Sequence, residues 1–153
     1  MTEQSKNKTK TEYAVELGRS MAELRTFTRQ FIQVKIKEND INITFEMLEV
    51  MSCLWKKDGI NQQEIADFTL RDKSSMTYLL DNLTKRKMVM RVEDENDRRN
   101  KLIYLTKEGL ELKEQLHPWV AEVYEMASAD VNINDLKNSI LLINKMISNL
   151  RKI

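Results

Sequence analysis

Apolar residues recur at helical spacing along most of the chain. From Tyr13 they run Leu17, Met21, Leu24, Phe27, Phe31 and Val34, one continuous stripe on a helix of about 25 residues. A helix of that length outruns the cover a small domain offers, so it predicts packing on a partner chain. Arg19, Arg25 and Arg29 share another side and read as solvated or as interfacial. Asn39-Asp40-Ile41-Asn42 breaks the pattern. Thr44 then caps a second helix with a stripe of Phe45, Leu48, Met51 and Trp55, closed by Lys56-Lys57-Asp58-Gly59. Asn61, with Glu64 three positions on, opens a short helix through Ile65, Ala66 and Phe68 in the manner of a capping box. Thr69-Leu70-Arg71 turns into a further helix, whose Met76, Leu79, Leu80 and Leu83 fall at i, i+3, i+4 and i+7. Two short helices joined by a tight turn make a helix-turn-helix.

The period then changes. Val89-Met90-Arg91-Val92 and Lys101-Leu102-Ile103-Tyr104-Leu105 read as paired strands around a charged tip, Asp94-Glu95-Asn96-Asp97-Arg98-Arg99. Thr106 caps a helix through Leu110, Leu112 and Leu116, and Pro118 predicts a kink before continuation through Val120, Val123 and Met126. The last helix spaces Ile133, Leu136, Ile140, Ile143, Ile147 and Leu150 at 3-4-3-4-3, an unbroken a/d seam widened by Leu141, Leu142 and Met146. With Leu17 and Phe31 of the first helix, this seam predicts a homodimer. The chain is thus expected to be mainly α with a small β-hairpin wing, an α+β winged helix-turn-helix whose N- and C-terminal helices form a dimerisation region. Residues 1–10 read as a frayed tail, 11–38 as a dimerisation helix, 41–105 as the winged helix-turn-helix, and 106–153 as helices completing the dimerisation region.

The helix over 73–85 carries Ser74, Thr77, Tyr78, Asp81 and Lys85 opposite its apolar stripe, flanked by Ser75 and Asn82. A merely solvated face favours Glu and Lys, which are good helix formers. Short hydroxyl and amide groups on a narrow helix suit base edges and phosphates in a major groove. An ordinary surface face is the bland alternative. Net charge is only +1, but its distribution is uneven. Residues 44–70 carry two basic and five acidic side chains, net −3, and residues 71–101 carry nine and six, net +3. Positive charge therefore gathers where the helix and the wing lie. Glu93, Asp94 and Glu95 in the wing should weaken non-specific phosphate attraction.

Asp72-Lys73-Ser74-Ser75-Met76-Thr77, Asp97-Arg98-Arg99 and Leu105-Thr106-Lys107-Glu108-Gly109 resemble the MarR (multiple antibiotic resistance regulator) family of dimeric winged-helix transcription regulators. The resemblance is strong over residues 43–112 and extends to the flanking helices only by pattern. It implies that the helix over 74–85 enters the major groove and that Arg99 is the wing arginine reaching the minor groove. Members of that family usually have glycine after the basic end of this helix; here the residue is Lys87. The resemblance also implies a repressor released by small, commonly aromatic or anionic compounds bound between the dimerisation helices and the winged domain. Met21, Leu24, Trp55 and Trp119 would line that junction, and they read equally well as plain core.

Two symmetry-related helices would then read a pseudo-palindrome in double-stranded DNA, with half-sites about one helical turn apart. Lys73, Lys85 and Arg86 would set register on phosphates, and Asn61 and Gln62 sit at a helix N-terminus suited to a phosphate. Ser74, Ser75, Thr77, Tyr78 and Asn82 are candidates for groove contacts, Tyr78 by hydrogen bond or by packing on sugar or thymine methyl. Arg98 and Arg99 suit a narrow minor groove, and Asp97 could steer an arginine through a charge-assisted bond. A winged helix that binds protein and not DNA is the competing reading.

Other chemistry is sparse. There is no glycine-rich phosphate loop, no Cys/His pair and no Gly-x-Ser-x-Gly elbow, so no enzyme and no cofactor is expected. His117 is the single histidine and has no second ligand nearby for a metal. Cys53, the single cysteine, lies among Met51, Leu54 and Trp55 and reads as a buried structural thiol or as a redox sensor. The peroxide-sensing branch of the resembled family carries its cysteine in the first helix, and this first helix has none. No apolar run approaches the roughly 20 residues that cross a bilayer. The N-terminus lacks the apolar core of a secretion signal, so no membrane partner and a cytoplasmic location are expected.

Overall fold

The hydroxyl of Thr9 accepts from the Glu12 N–H at 3.2 Å, and the Glu12 carboxylate accepts from the Thr9 N–H at 2.6 Å. These reciprocal bonds form a capping box, and they start helix α1, Lys10–Glu38. The computed structural model describes residues 7–153. Of the tail expected over 1–10, residues 1–6 lie outside the described residues, and Lys10 is already helical. Two compact units are present, residues 1–120 and 121–153.

In the first unit, α1 turns Ile32 and Ile36 inward. Met21, Leu24, Phe27 and Val34 are exposed, and Leu17 and Phe31 half-buried. The apolar stripe legible in the sequence is therefore a face that its own chain leaves largely open. Arg25 and Arg29 keep exposed side chains and are also ion-paired to the next helix, α2 (Phe45–Lys56): Arg25 to Glu49 at 2.5 Å, and Arg29 to Glu46. Each carboxylate stands where an arginine of α1 reaches it, which is how two charged faces pack without leaving a charge bare.

Helix α2 is capped by Thr44, whose hydroxyl accepts from the Met47 N–H at 3.2 Å. Its buried residues are Met47, Leu48, Val50, Met51, Cys53 and Leu54, with Phe45 and Trp55 only half-buried. The expected stripe of Phe45, Leu48, Met51 and Trp55 is too narrow because this helix has neighbours on several sides, and a helix so placed must be apolar around more of its circumference.

Gly59 makes the turn after α2 at φ 67°, where any side chain would strike the Tyr104 ring within 2.7 Å. It leads to a strand that the hydrophobic pattern did not show, β1 (Ile60–Asn61). Two residues carry too little alternation to register as a strand. Helices α3 (Gln62–Thr69) and α4 (Lys73–Lys85) follow, joined by a turn in which Leu70 sits at φ 55°. Ile65 and Ala66 are buried, whereas Phe68 is exposed under the Lys56 ammonium, 5.2 Å from its ring centre. Met76, Leu79, Leu80 and Leu83 of α4 are all buried, each worth roughly 1.5–3 kcal/mol.

The wing strands are β2 (Val89–Glu93) and β3 (Lys101–Leu105), antiparallel with Val89 opposite Leu105 and Glu93 opposite Lys101. Because β1 also pairs with β3, the sheet has three strands, in the order β1-β3-β2, and not the two of a simple hairpin. This third pairing anchors the wing to the start of α3. Helix α5 (Lys107–Ala127) follows, capped by Thr106, which accepts from the Gly109 N–H at 3.1 Å. A Cβ on Gly109 would lie 2.3 Å from the Met88 carbonyl oxygen, so the helix can approach the β2 backbone only with glycine there. α5 continues through Pro118.

In the second unit, the end of α5 is followed by α6 (Ile133–Leu150), which Asn132 caps by accepting from the Asn134 N–H at 2.7 Å. α6 buries none of its residues: Ile133, Leu136, Ile140, Ile147 and Leu150 are exposed and Ile143 is half-buried. Among the described residues no helix is long and apolar enough to cross a membrane.

Candidate nucleic-acid interface

Helix α4 starts at Asp72, whose carboxylate accepts from the Ser75 N–H at 2.7 Å and from the Ser74 hydroxyl at 2.9 Å. The Ser75 N–H foremost, with the two serine hydroxyls, holds the Asp72 carboxyl below the usual carboxylate range. Beyond this cap, Lys73, Ser74, Thr77, Tyr78, Asp81 and Lys85 are exposed, Tyr78 at 67%, and Ser75 is half-buried. The buried leucines fix that outward face by anchoring the other one.

Asn82, expected in the groove, and Arg86, expected on a phosphate, are half-buried and also bonded within the fold. Asn82 donates to the Tyr78 carbonyl at 2.9 Å and accepts from Arg86 at 3.1 Å. Arg86 in turn donates to the Asn42 carbonyl at 2.8 Å, fastening the end of α4 to the loop before α2. Their polar groups serve this clamp. Asn61 and Gln62 also have partners: Asn61 caps α3 by accepting from the Glu64 N–H at 2.8 Å, and Gln62 donates to the Thr77 hydroxyl at 2.6 Å.

At the wing tip, Asp97 accepts from the backbone N–H of Arg99 at 3.0 Å. The expected charge-assisted bond to an arginine side chain is thus a turn-forming bond to its backbone, and it shapes the loop that presents Arg98 and Arg99, both exposed. Asp94 closes the loop, its N–H donating to the Asn100 carbonyl at 3.0 Å.

Between α4 and the wing lies a cleft of about 360 Å³, lined by Asn61, Gln62, Lys73, Thr77, Arg91, Arg99 and Lys101 among others, with no carboxylate in its lining. Arg91 and Lys101 are additions to the residues singled out from sequence. Arg91 is steadied by Asp81 of α4 at 2.7 Å. Strand phase could have found both. Arg91 is in phase with the buried Val89, and Lys101 with the buried Ile103 and Leu105. A cation in phase with core residues at the outer end of a strand must emerge beside whatever the strand packs on.

Four residues were expected at an effector site: Met21, Leu24, Trp55 and Trp119. Met21 and Leu24 are exposed on α1, and Trp119 is half-buried on α5. The Trp55 indole N–H donates to the Gly109 carbonyl at 3.0 Å. Neither the cleft above nor the one on the opposite flank of α4, lined by Glu46, Arg71, Ser75 and Tyr78, includes any of them. Cys53 is 3% exposed, and burial raises its thiol pKa above the ordinary value despite Lys56 nearby. Among the described residues no cluster of three or more His, Cys, Asp or Glu could hold a metal ion.

A helix-turn-helix whose second helix is flanked by a β-wing, with the helix's polar face and the wing's cations opening on one cleft, defines a winged helix-turn-helix protein. Residues 43–101 match the model of the MarR family, and over that segment the chain is similar to it. It is 27% identical over 105 residues to the HTH-type transcriptional regulator SarZ of Staphylococcus aureus, covering 65% of this chain and 70% of that protein. The chain spans 70% of that relative's length and 55% of another's. The fold is shared with a MarR transcriptional regulator from Methanosarcina mazei Go1 (TM-score 0.77, 24% identity, 89% of this chain and 96% of that one). It is shared also with a mutant MarR from E. coli complexed with operator DNA (TM-score 0.75, 20% identity, 91% of this chain and 99% of that one).

Proposed function

We propose that this chain is a homodimeric, sequence-specific DNA-binding transcription repressor of the cytoplasm, released from its operator by a small aromatic or anionic effector, and that it is neither an enzyme nor dependent on a cofactor. The observation that carries the reading is the cleft between α4 and the wing, where Lys73, Arg91, Arg99 and Lys101 converge with no carboxylate. Duplex DNA presents a phosphate every few ångströms along its backbone, and such a cleft is where a strand would pass between a helix in the major groove and a wing beside it. That SarZ is named a transcriptional regulator, and that the E. coli protein was solved with operator DNA, supports the same reading.

In this reading Lys73 and Lys85 set register on phosphates. Ser74, Ser75, Thr77 and Tyr78 face base edges, and Arg98 and Arg99 reach the minor groove. The exposed seam of α6 and the open stripe of α1, Leu17 and Phe31 included, are covered by a second copy of the chain, because apolar faces this continuous associate in water. The twofold operator then wants a pseudo-palindromic site. Met21 and Leu24 lie open on α1, so an effector pocket with Trp55 and Trp119 takes a further wall from the partner copy.

Mobility shifts against duplexes selected from a random pool test this. Arg99→Ala is expected to lower affinity for every selected duplex, and Thr77→Ala to change the preference among them. If both variants behave as wild type, the site is assigned wrongly. A protein-binding winged helix would retain no duplex at any salt concentration.

A further inference from the structure

Helix α4 carries a single acidic residue, Asp81. It follows Thr77 by four positions and Tyr78 by three, so it stands on the same outward face, one turn further along. A bare carboxylate there would be repelled by the phosphates of any duplex that the helix entered. Asp81 is not bare. Arg91 of β2 donates from Nη2 to its Oδ1 at 2.7 Å. The two ends of this ion pair are unequally covered, the Arg91 side chain being 25% exposed and that of Asp81 51%. The cation is the covered end, brought there by a strand whose Val89 is buried in the core, and the carboxylate is the open end. Among the described residues the second oxygen, Oδ2, makes no hydrogen bond.

The neighbouring hydroxyls of Ser74 and Thr77 can each donate or accept as their protons turn, but a carboxylate only accepts. In the major groove guanine presents the acceptors N7 and O6, and thymine the acceptor O4 beside its methyl group. Adenine sets the acceptor N7 next to its N6 amine. Cytosine alone offers an edge that is a donor without an acceptor, its N4 amine. We infer that Asp81 is a specificity-determining residue that selects cytosine at the base it faces, with Arg91 neutralising the charge it carries into the groove. The inference rests on the DNA-binding reading and adds to it the chemistry of one base position.

The test takes wild type, Asp81→Asn, Asp81→Ala and Arg91→Gln through selection from a random duplex pool, then titrates each against the selected duplex and its single base substitutions. Wild type is expected to hold one cytosine in each half-site, replaceable only at a loss of roughly tenfold. In Asp81→Ala that preference should vanish, at this position alone. Asp81→Asn keeps the size of the side chain and gains a donor. An amide pairs with both N6 and N7 of adenine, so the preferred base there should change from cytosine to adenine. Arg91→Gln breaks the same ion pair but leaves the carboxylate, and should weaken binding to every duplex while keeping cytosine. A switch to adenine in Arg91→Gln as well would make the bridge, and not the carboxylate, the source of the preference, and overturns the inference. So does a preference that both Asp81 variants leave unchanged, or an even loss at every position; each of these leaves DNA binding intact. Wild-type protein that binds no duplex overturns the DNA-binding reading and the inference with it.

Discussion

The guanidinium of Arg71 donates to the Glu49 carboxylate at 2.7 Å. Arg71 immediately precedes Asp72, the cap of α4, and the other Glu49 oxygen takes Arg25 of α1 at 2.5 Å. One carboxylate therefore links the first helix, the second helix and the start of the helix that faces the cleft. Glu49→Gln removes the charge that both arginines share. Since Glu49 is largely buried, the variant should lose about 1–2 kcal/mol in urea denaturation, more than a surface ion pair is worth. Its DNA affinity should also fall, because the entry angle of α4 depends on Arg71. Unchanged stability would mean that the bridge carries no weight.

Lys87 occupies the turn between α4 and β2 at φ 58°, a left-handed conformation that glycine adopts freely and a lysine does not. The Thr106 hydroxyl holds that turn by donating to the Lys87 carbonyl at 2.5 Å, a backbone contact which survives substitution. Lys87→Gly is therefore expected to raise stability by about 0.5–1 kcal/mol, the relief of strain being partly offset by a freer unfolded chain. A shift of the denaturation midpoint upward checks it.

The α4 stripe, the wing strands and the six helices were legible because their hydrophobic periods are long and regular. What escaped the sequence did so for stated physical reasons. The pairing of β1 is too short to show a period. Phe68 is apolar yet exposed, with the Lys56 ammonium over its ring. The partners of Arg25 and Arg29, Glu49 and Glu46, lie on another helix and leave no mark on the pattern of the first. In the candidate site, the outward position of Thr77 and Tyr78 follows from the buried leucines. The clamp of Asn82 on Arg86 does not, because it needs Asn42, some forty residues away in the chain. Arg91 and Lys101 join the cleft through the phase of strands β2 and β3, which the charged sequence of the wing tip does not reveal.

Asp72 gives a pH dependence with a definite sign. The folded chain holds its carboxyl below the usual range, chiefly through the Ser75 N–H, so the unfolded chain binds the proton more tightly. Its stabilising contribution is complete above the ordinary carboxylate range and is lost as pH falls through the folded value, below about 4. Asp72→Ala should be less stable than wild type at neutral pH, and the gap should narrow in acid. Denaturation midpoints measured from about pH 7 down to about pH 3 check this; a constant gap would contradict it.

The seam of α6 gives a prediction about assembly. Ile140 stands in its middle and is exposed in the single chain. If a second copy covers it, Ile140→Glu places a charge in an apolar interface and should turn a dimer into a monomer in sedimentation, with loss of operator binding at the same concentration. A wild-type monomer at micromolar concentration would contradict the assembly.

The dependence of DNA affinity on salt tests the central claim most directly. Lys73 and Lys85 on phosphates and Arg98 and Arg99 in the minor groove place about eight cations of two protomers against the duplex, so log affinity plotted against log salt should fall with a slope of roughly −7. The slope should lessen by about two when Arg98 and Arg99 are replaced by alanine in one copy of each dimer, and by about four when both copies carry the change. An affinity for duplex DNA that stays flat as salt rises, or no measurable binding at low salt, would contradict the account.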